Sequence, residues 1–217
     1  MLKTADIRKR TERFSDAEQL ETVPNKSALR NICGTNYRRK KETGMKILVL
    51  NGSPRPNGNT AALVEAFVEG AKENGHEITV VQICQKKIAG CLACEYCHTK
   101  GEGSCIQQDD MQEVYPILLE AEMIVLASPV YYHSFTGQLQ CAINRIYALD
   151  KPANMKKAAL ILSSGSDQVY DGAIYEYQNS FLDYLKLENM GIFTAYGKQN
   201  KSEEKLQELK AFGKSLV

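Results

Sequence analysis

The chain has 217 residues, 43% of them hydrophobic and 24% charged, with a formal net charge of +1. Those values suit a soluble globular domain of ordinary size, with a full core and an extension. No apolar run approaches the roughly 18 residues that a membrane span needs, and the N-terminus lacks the apolar h-region of a secretory signal, so a cytoplasmic chain is expected.

Residues 1–44 hold eleven Lys/Arg against six Asp/Glu, whereas the remainder is weakly acidic. No aromatics interleave with these arginines, so the segment argues against nucleic acid. It reads as an irregular, partly helical basic extension for docking on a neighbouring acidic subunit. Ser15-Asp-Ala-Glu18 resembles a capping box, Pro24-Asn25 breaks any helix, and Cys33 stands alone.

From Lys46 the chain alternates strand and helix. Strands are predicted at 46–51, 77–83, 122–128, 157–163 and 191–196, and helices at 59–74, 109–120, 136–147, 174–188 and 201–214. Runs such as Met123-Ile-Val-Leu-Ala127 are apolar throughout, as strands covered on both faces must be. Five such repeats predict a doubly wound α/β fold with a five-stranded parallel sheet in the order 2-1-3-4-5. That order puts a switch point, where ligands bind, beside the first strand. A phosphorelay receiver shares the topology but needs acidic residues where this chain has Asn51-Gly52.

The first strand runs into Asn51-Gly-Ser-Pro-Arg-Pro-Asn-Gly-Asn-Thr60 and then a helical pattern. Strand, small-residue loop and helix start form an anion cradle, because the first amides of a helix are unpaired and carry partial positive charge. Ser53, Asn59 and Thr60 add side-chain donors and Arg55 a charge. A nucleoside-triphosphatase loop is excluded by the missing Lys-Ser/Thr pair, and the G-x-G-x-x-G fingerprint is absent. The plainer alternative is an ordinary capped turn.

Between the second strand and the helix at 109 lies Cys91-Leu-Ala-Cys94-Glu-Tyr-Cys97, followed by Cys105. The spacing is C-x2-C-x2-C-x7-C, and Gly101 and Gly103 let the chain fold back to deliver the last thiol. Four thiolates suit an iron–sulfur cluster or zinc. His98 keeps a Cys/His zinc site open, and free thiols or disulfides remain the third option.

After the third strand comes Ser128-Pro-Val-Tyr-Tyr-His-Ser-Phe135, an aromatic-rich segment at the same sheet edge. It either offers planar surface to a ligand or packs on the next helix. Ser163-Ser-Gly-Ser-Asp167 follows the fourth strand as a third loop there. The stripe Tyr170, Tyr175, Tyr177 and Phe181 fits core or a subunit interface better than a cofactor box.

Asn51-Gly-Ser-Pro-Arg55 with Gly58-Asn-Thr60 resembles the phosphate loop of the NAD(P)H-dependent FMN reductases, a branch of the flavodoxin-like flavoproteins. The resemblance extends over residues 45–200. The compact cysteine run is similar to that of the iron–sulfur flavoproteins, which join FMN to a [4Fe–4S] cluster on the same frame. The resemblance implies FMN held at its phosphate by Ser53, Arg55, Asn57, Asn59 and Thr60. Its ring would be framed by Pro129, Val130, Tyr131, Tyr132, His133 and Ser134, with Ser164 and Gly165 on the third loop. His133 is a weak candidate proton donor and a better hydrogen-bonding surface residue.

The expected activity is an FMN-dependent oxidoreductase using NAD(P)H, passing electrons to a flavin, a quinone or a protein such as ferredoxin. One alternative is an electron carrier with a [4Fe–4S] cluster on Cys91, Cys94, Cys97 and Cys105. Another is a non-catalytic flavin module with zinc. A homodimer or homotetramer is expected, with no nucleic-acid or membrane partner.

Overall fold

The computed structural model describes residues 44–217. The capping-box reading at Ser15, Cys33 and the docking role of the basic extension lie outside those residues. Five strands, β1 (Lys46–Asn51), β2 (Glu77–Gln82), β3 (Met123–Pro129), β4 (Lys157–Ser164) and β5 (Glu188–Tyr196), form one sheet in the order β2-β1-β3-β4-β5. Every neighbouring pair is parallel, as predicted.

Alternation along the strands splits the core in two. Leu48, Leu50, Ile124, Leu126, Leu160 and Leu162 face one side, where they pack with residues of α2 (Met111–Glu120), α3 (Gly137–Ile146) and α4 (Asp171–Glu176). Ile47, Val49, Met123, Val125 and Ile161 face the other, against α1 (Asn59–Glu73) and α5 (Glu203–Ser215) through Leu63, Phe67 and Leu209. Each fully buried aliphatic side chain contributes about 1.5–3 kcal/mol, which accounts for the unbroken apolar runs of the central strands. No helix among the described residues is long and apolar enough to cross a membrane.

Most elements fall within two residues of the predicted bounds, and two differ by three or more. β5 begins at Glu188 rather than 191, because its first residues are polar and exposed and carry no apolar pattern. A register shift opposite Ala158 and Ala159 skips Met190 in the ladder. The helix expected at 174–188 starts at Asp171, and beyond Glu176 it widens into a π-helical segment, Tyr177–Tyr184. The amide of Leu185 there donates to the carbonyl of Ser180, five residues back. The tyrosine stripe is mostly core, with Tyr170, Tyr177 and Phe181 buried and Tyr175 exposed.

Candidate functional site

The loops after β1, β3 and β4 converge at the carboxyl edge of the sheet. Gly52 is the pivot of the first. Its amide donates to the Ala127 carbonyl on β3, and its own carbonyl accepts from Thr136 Oγ1 at 2.9 Å and from Cys84 Sγ. A Cβ at this position would stand 2.7 Å from Thr136 Oγ1, so only glycine allows the approach. Asn51 Oδ1 accepts from the Ser53 amide and Ser53 Oγ from the Arg55 amide, which folds the chain back toward the start of α1.

That helix start is open. Gly58 precedes it in extended conformation with no side-chain capping bond, and the first turn holds no acidic residue. Its amides are therefore available to an anion, favoured further by the helix dipole. Ser53 and Thr60 are buried at the base of the loop, while Arg55, Asn57 and Asn59 are exposed around it. Lys201, not anticipated from the sequence, reaches the Asn57 carbonyl at 3.2 Å and adds a cation to the rim.

Thr60 Oγ1 lies 2.7 Å from Ser163 Oγ, tying the first loop to the end of β4. If Ser163 donates, the Thr60 proton is left for an acceptor outside this pair. β3 is locked to β4 by Pro129 opposite Ser163 and by the Val130 amide donating to the Ser163 carbonyl.

Beyond Val130 the chain makes a tight hairpin. Tyr131 and Ser134 exchange both backbone hydrogen bonds at 3.1 Å, and the two residues between them, Tyr132 (φ 50°) and His133 (φ 64°), are both left-handed. Paired positive φ values define a type I′ turn, where Asn-Gly is the favoured pair and bulky residues are strained. Tyr132 is fully exposed, and Tyr131 is about half so. The turn rests on α4, where the absent side chain of Gly172 makes room for the His133 carbonyl. Ser134 Oγ accepts from Gln140 Nε2, which also donates to Glu176. Burial pushes the Glu176 carboxyl up, with the Gln140 bond opposing it.

The third loop is anchored from below. Ser164 Oγ sits 2.7 Å from the Tyr170 hydroxyl, its carbonyl accepts from Asn200 Nδ2, and Tyr170 donates on to Ala195. Gly165 is exposed with open space beside it. Ser53, Thr60, the 129–134 turn, Ser164 and Gly165 are thus gathered at one edge.

The cysteine loop forms a second centre beside it. Cys91, Cys94, Cys97 and Cys105 line one small cavity, together with Gln107 and Arg145. Ala93 and Glu95 take left-handed conformations on either side of Cys94, winding the loop around the thiols, and the Ala93 amide points to Cys91 Sγ at 3.4 Å. Burial pushes the Cys97 thiol up, reinforced by the neighbouring Cys105, Cys91 and Cys94. Among the described residues no set of three Cys, His, Asp or Glu side chains already surrounds a metal position. His98 is directed elsewhere. Its Nε2 lies 3.0 Å from the Tyr147 carbonyl, which only accepts, so that nitrogen carries the proton and is no ligand. Its Nδ1 faces Asp150.

An ion pair closes the base of this loop. Arg145 is buried, with 1% of its surface exposed, and grips Asp109 through Nη1 at 2.7 Å and Nη2 at 3.1 Å. Its outer amines also donate to the carbonyls of Ala89 and Gln107, which flank the cysteine run on either side. Asp109 in turn accepts from the amides of Ala89 and Met111. Burial pushes its carboxyl up, but the bonds from Arg145, Ala89 and Met111 outweigh this and hold it below its ordinary value. The Tyr115 hydroxyl, which donates to the Arg145 carbonyl, is pushed up to about 12 by burial. Neither Asp109 nor Arg145 was anticipated. The available signal was an arginine falling on the apolar face of α3 with Leu139, Ala142 and Ile146.

The parallel sheet and its three-loop edge define a flavodoxin-like protein. The model of the NADPH-dependent FMN reductase family matches residues 45–200. The chain belongs to that family, and with it to the NAD(P)H-dependent flavin oxidoreductases. It is 32% identical to an iron–sulfur flavoprotein of Archaeoglobus fulgidus over 70% of this chain and 69% of that one. It is 32% identical to an iron–sulfur flavoprotein of Methanosarcina thermophila over 67% of this chain and 75% of the other. A Methanocaldococcus jannaschii iron–sulfur flavoprotein is 41% identical over 48% of this chain, and the match spans about half (52%) of that relative. In fold the chain is similar to an NAD(P)H:quinone oxidoreductase from Methanothermobacter marburgensis, with TM-score 0.63, 18% identity, and coverage of 79% of this chain and 95% of that one.

Proposed function

We propose that this oxidoreductase holds FMN at the carboxyl edge of the sheet and a [4Fe–4S] cluster on Cys91, Cys94, Cys97 and Cys105, and moves electrons between NAD(P)H and a one-electron protein partner. The observation that carries the cluster is that all four thiols of the C-x2-C-x2-C-x7-C run line one cavity while His98 is bonded elsewhere. Four soft thiolates without imidazole fit an iron–sulfur centre. The names of the archaeal relatives support the same reading.

FMN fits the open start of α1. Ser53, Asn57, Asn59 and Thr60, with the first amides of the helix, bind the phosphate, and Arg55 and Lys201 balance its charge. Residues 129–134 orient the ring from one side, and Ser164 and Gly165 approach it with backbone. The His133 side chain lies on the exposed turn and serves as a hydrogen-bonding surface. When bound, FMN exchanges electron pairs with a nicotinamide and single electrons with a cluster, so one chain carrying both links two-electron and one-electron chemistry.

The test is iron, sulfide and flavin analysis of full-length protein after anaerobic reconstitution. The proposal requires about four iron and four sulfide per chain beside one FMN. One observation favours a second reading, a plain FMN reductase with a structural cysteine loop: the four thiols are not already gathered around a metal position. Rapid flavin reduction by NAD(P)H in protein that takes up no iron would establish that alternative.

A further inference from the structure

We infer that Arg145 tunes the proposed iron–sulfur centre, donating its Nε–H to a cluster or cysteine sulfur and setting a positive charge against the anionic cluster. The inference rests on the cluster reading above and adds a residue outside the cysteine motif.

A guanidinium has five N–H bonds. Its four outer ones are accounted for by Asp109 Oδ1 and Oδ2, the Ala89 carbonyl and the Gln107 carbonyl. Nε is left buried without a hydrogen-bond partner among the described residues. An unsatisfied buried donor of this kind is costly and rare, and here the side chain that carries it lines the cavity of the four cysteines. Arg145 lines that cavity and interacts electrostatically with Cys105, whereas its ion-pair partner Asp109 is not among the lining residues.

The physical consequence follows from charge. A cluster bound by four thiolates is anionic and becomes more so on reduction. A nearby cation and an N–H donated to sulfur both favour the reduced form and raise the midpoint potential. The fork on Asp109 fixes the guanidinium, so the donor is in place before any cluster is inserted. Arg145 is a positioning and tuning residue, with no part in hydride transfer.

The direct test uses wild-type full-length protein, reconstituted anaerobically with iron and sulfide and labelled with ¹⁵N-arginine. Pulsed EPR of the reduced cluster should show a ¹⁵N hyperfine coupling. A cluster of four irons without that coupling overturns the inference and leaves the cluster reading intact, whereas protein that takes up no iron overturns both.

Variants read the same point through the potential. Arg145→Gln with Asp109→Asn removes both charges and avoids a stranded carboxylate. At a fixed potential it should lower the reduced-to-oxidised ratio about tenfold, a shift of about 59 mV for one electron. Arg145→Lys keeps the charge without the Nε donor and should fall between that variant and wild type. Folded variants with full iron and FMN and unchanged potential would make Arg145 only a clip for the loop. If neither variant folds, the isotope experiment on wild type decides.

Discussion

Thr60 and Ser163 stand 103 residues apart in sequence, yet their hydroxyl oxygens are 2.7 Å apart and buried. The contact joins the start of α1 to the end of β4, so the loop after β1 and the loop after β4 are held as one unit. Thr60→Val keeps the shape and strands the Ser163 hydroxyl, and should cost about 1–3 kcal/mol of stability. Thr60→Ala combined with Arg55→Ala should weaken FMN binding by about 2–4 kcal/mol, measured by titrating apoprotein and following flavin fluorescence. A double variant that keeps its flavin through dialysis would mean the phosphate sits elsewhere.

The turn at Tyr132 and His133 places two bulky residues at positive φ, a cost of about 1–2 kcal/mol each in isolation. Tyr132→Asn with His133→Gly supplies the residues that a type I′ turn prefers. The pair should raise the urea midpoint by the equivalent of about 1–3 kcal/mol while perturbing the visible spectrum of bound FMN. An unchanged midpoint would show the turn to be unstrained. Gly172→Ala should act oppositely, because its Cβ would come within 2.4 Å of the His133 carbonyl and push the turn off α4.

The strand–helix alternation and the glycine-dependent turn after β1 were legible because both are written in local pattern. The apolar run at 123–127 is continuous where both faces are covered, and Asn51-Gly52 ends a strand where only glycine allows the approach to Thr136. The start of β5 was hidden because an edge strand with exposed Glu188 and Asn189 carries no such signal. The π-helical widening at Tyr177 leaves an apolar pattern that a regular helix also satisfies. Arg145 and Asp109 were missed because their pairing is a tertiary event across 36 residues, and composition at either end is ordinary.

Glu176 makes stability depend on pH above the ordinary carboxylate range. Burial raises its folded-state pKa above the unfolded value of about 4.3. Below that pH the group is protonated in both states and contributes no pH dependence. As pH rises through the higher folded value the native protein must bury a carboxylate, and stability falls. Glu176→Gln retains an acceptor for Gln140 and cannot ionise. Its Tm should therefore match wild type near pH 4 and exceed it at pH 8. Equal Tm differences at both pH values would assign the effect to packing.

Asp109 produces the opposite slope. Its folded pKa lies below the usual value because hydrogen bonds from Arg145 and two backbone amides outweigh burial. The stability it contributes is complete above about pH 4 and is lost as pH falls through the lower folded value. Asp109→Asn leaves Arg145 charged, buried and without its carboxylate, which should cost about 3–5 kcal/mol at pH 7. The mutant should also lose part of the acid-unfolding slope below pH 4, followed by circular dichroism. A variant of wild-type stability would mean that Arg145 finds other partners.

The cysteine loop separates the two functional readings most sharply. Single Cys→Ser changes at 91, 94, 97 and 105 each remove one soft ligand, and each should reduce the iron taken up on anaerobic reconstitution from about four per chain toward none. FMN content should stay at wild-type level, because the phosphate loop starts from a different strand and shares no residue with the cysteine cavity. Cys97 differs from the others in being buried, so its serine variant should also lose stability, whereas Cys91 and Cys94 are exposed and their variants should not. Oxygen can strip a cluster, so the comparison must be made under anaerobic conditions with sulfide measured alongside iron. Four serine variants that bind iron as well as wild type would remove the loop from the redox path. Loss of FMN together with iron would instead mean that the loop supports the flavin edge.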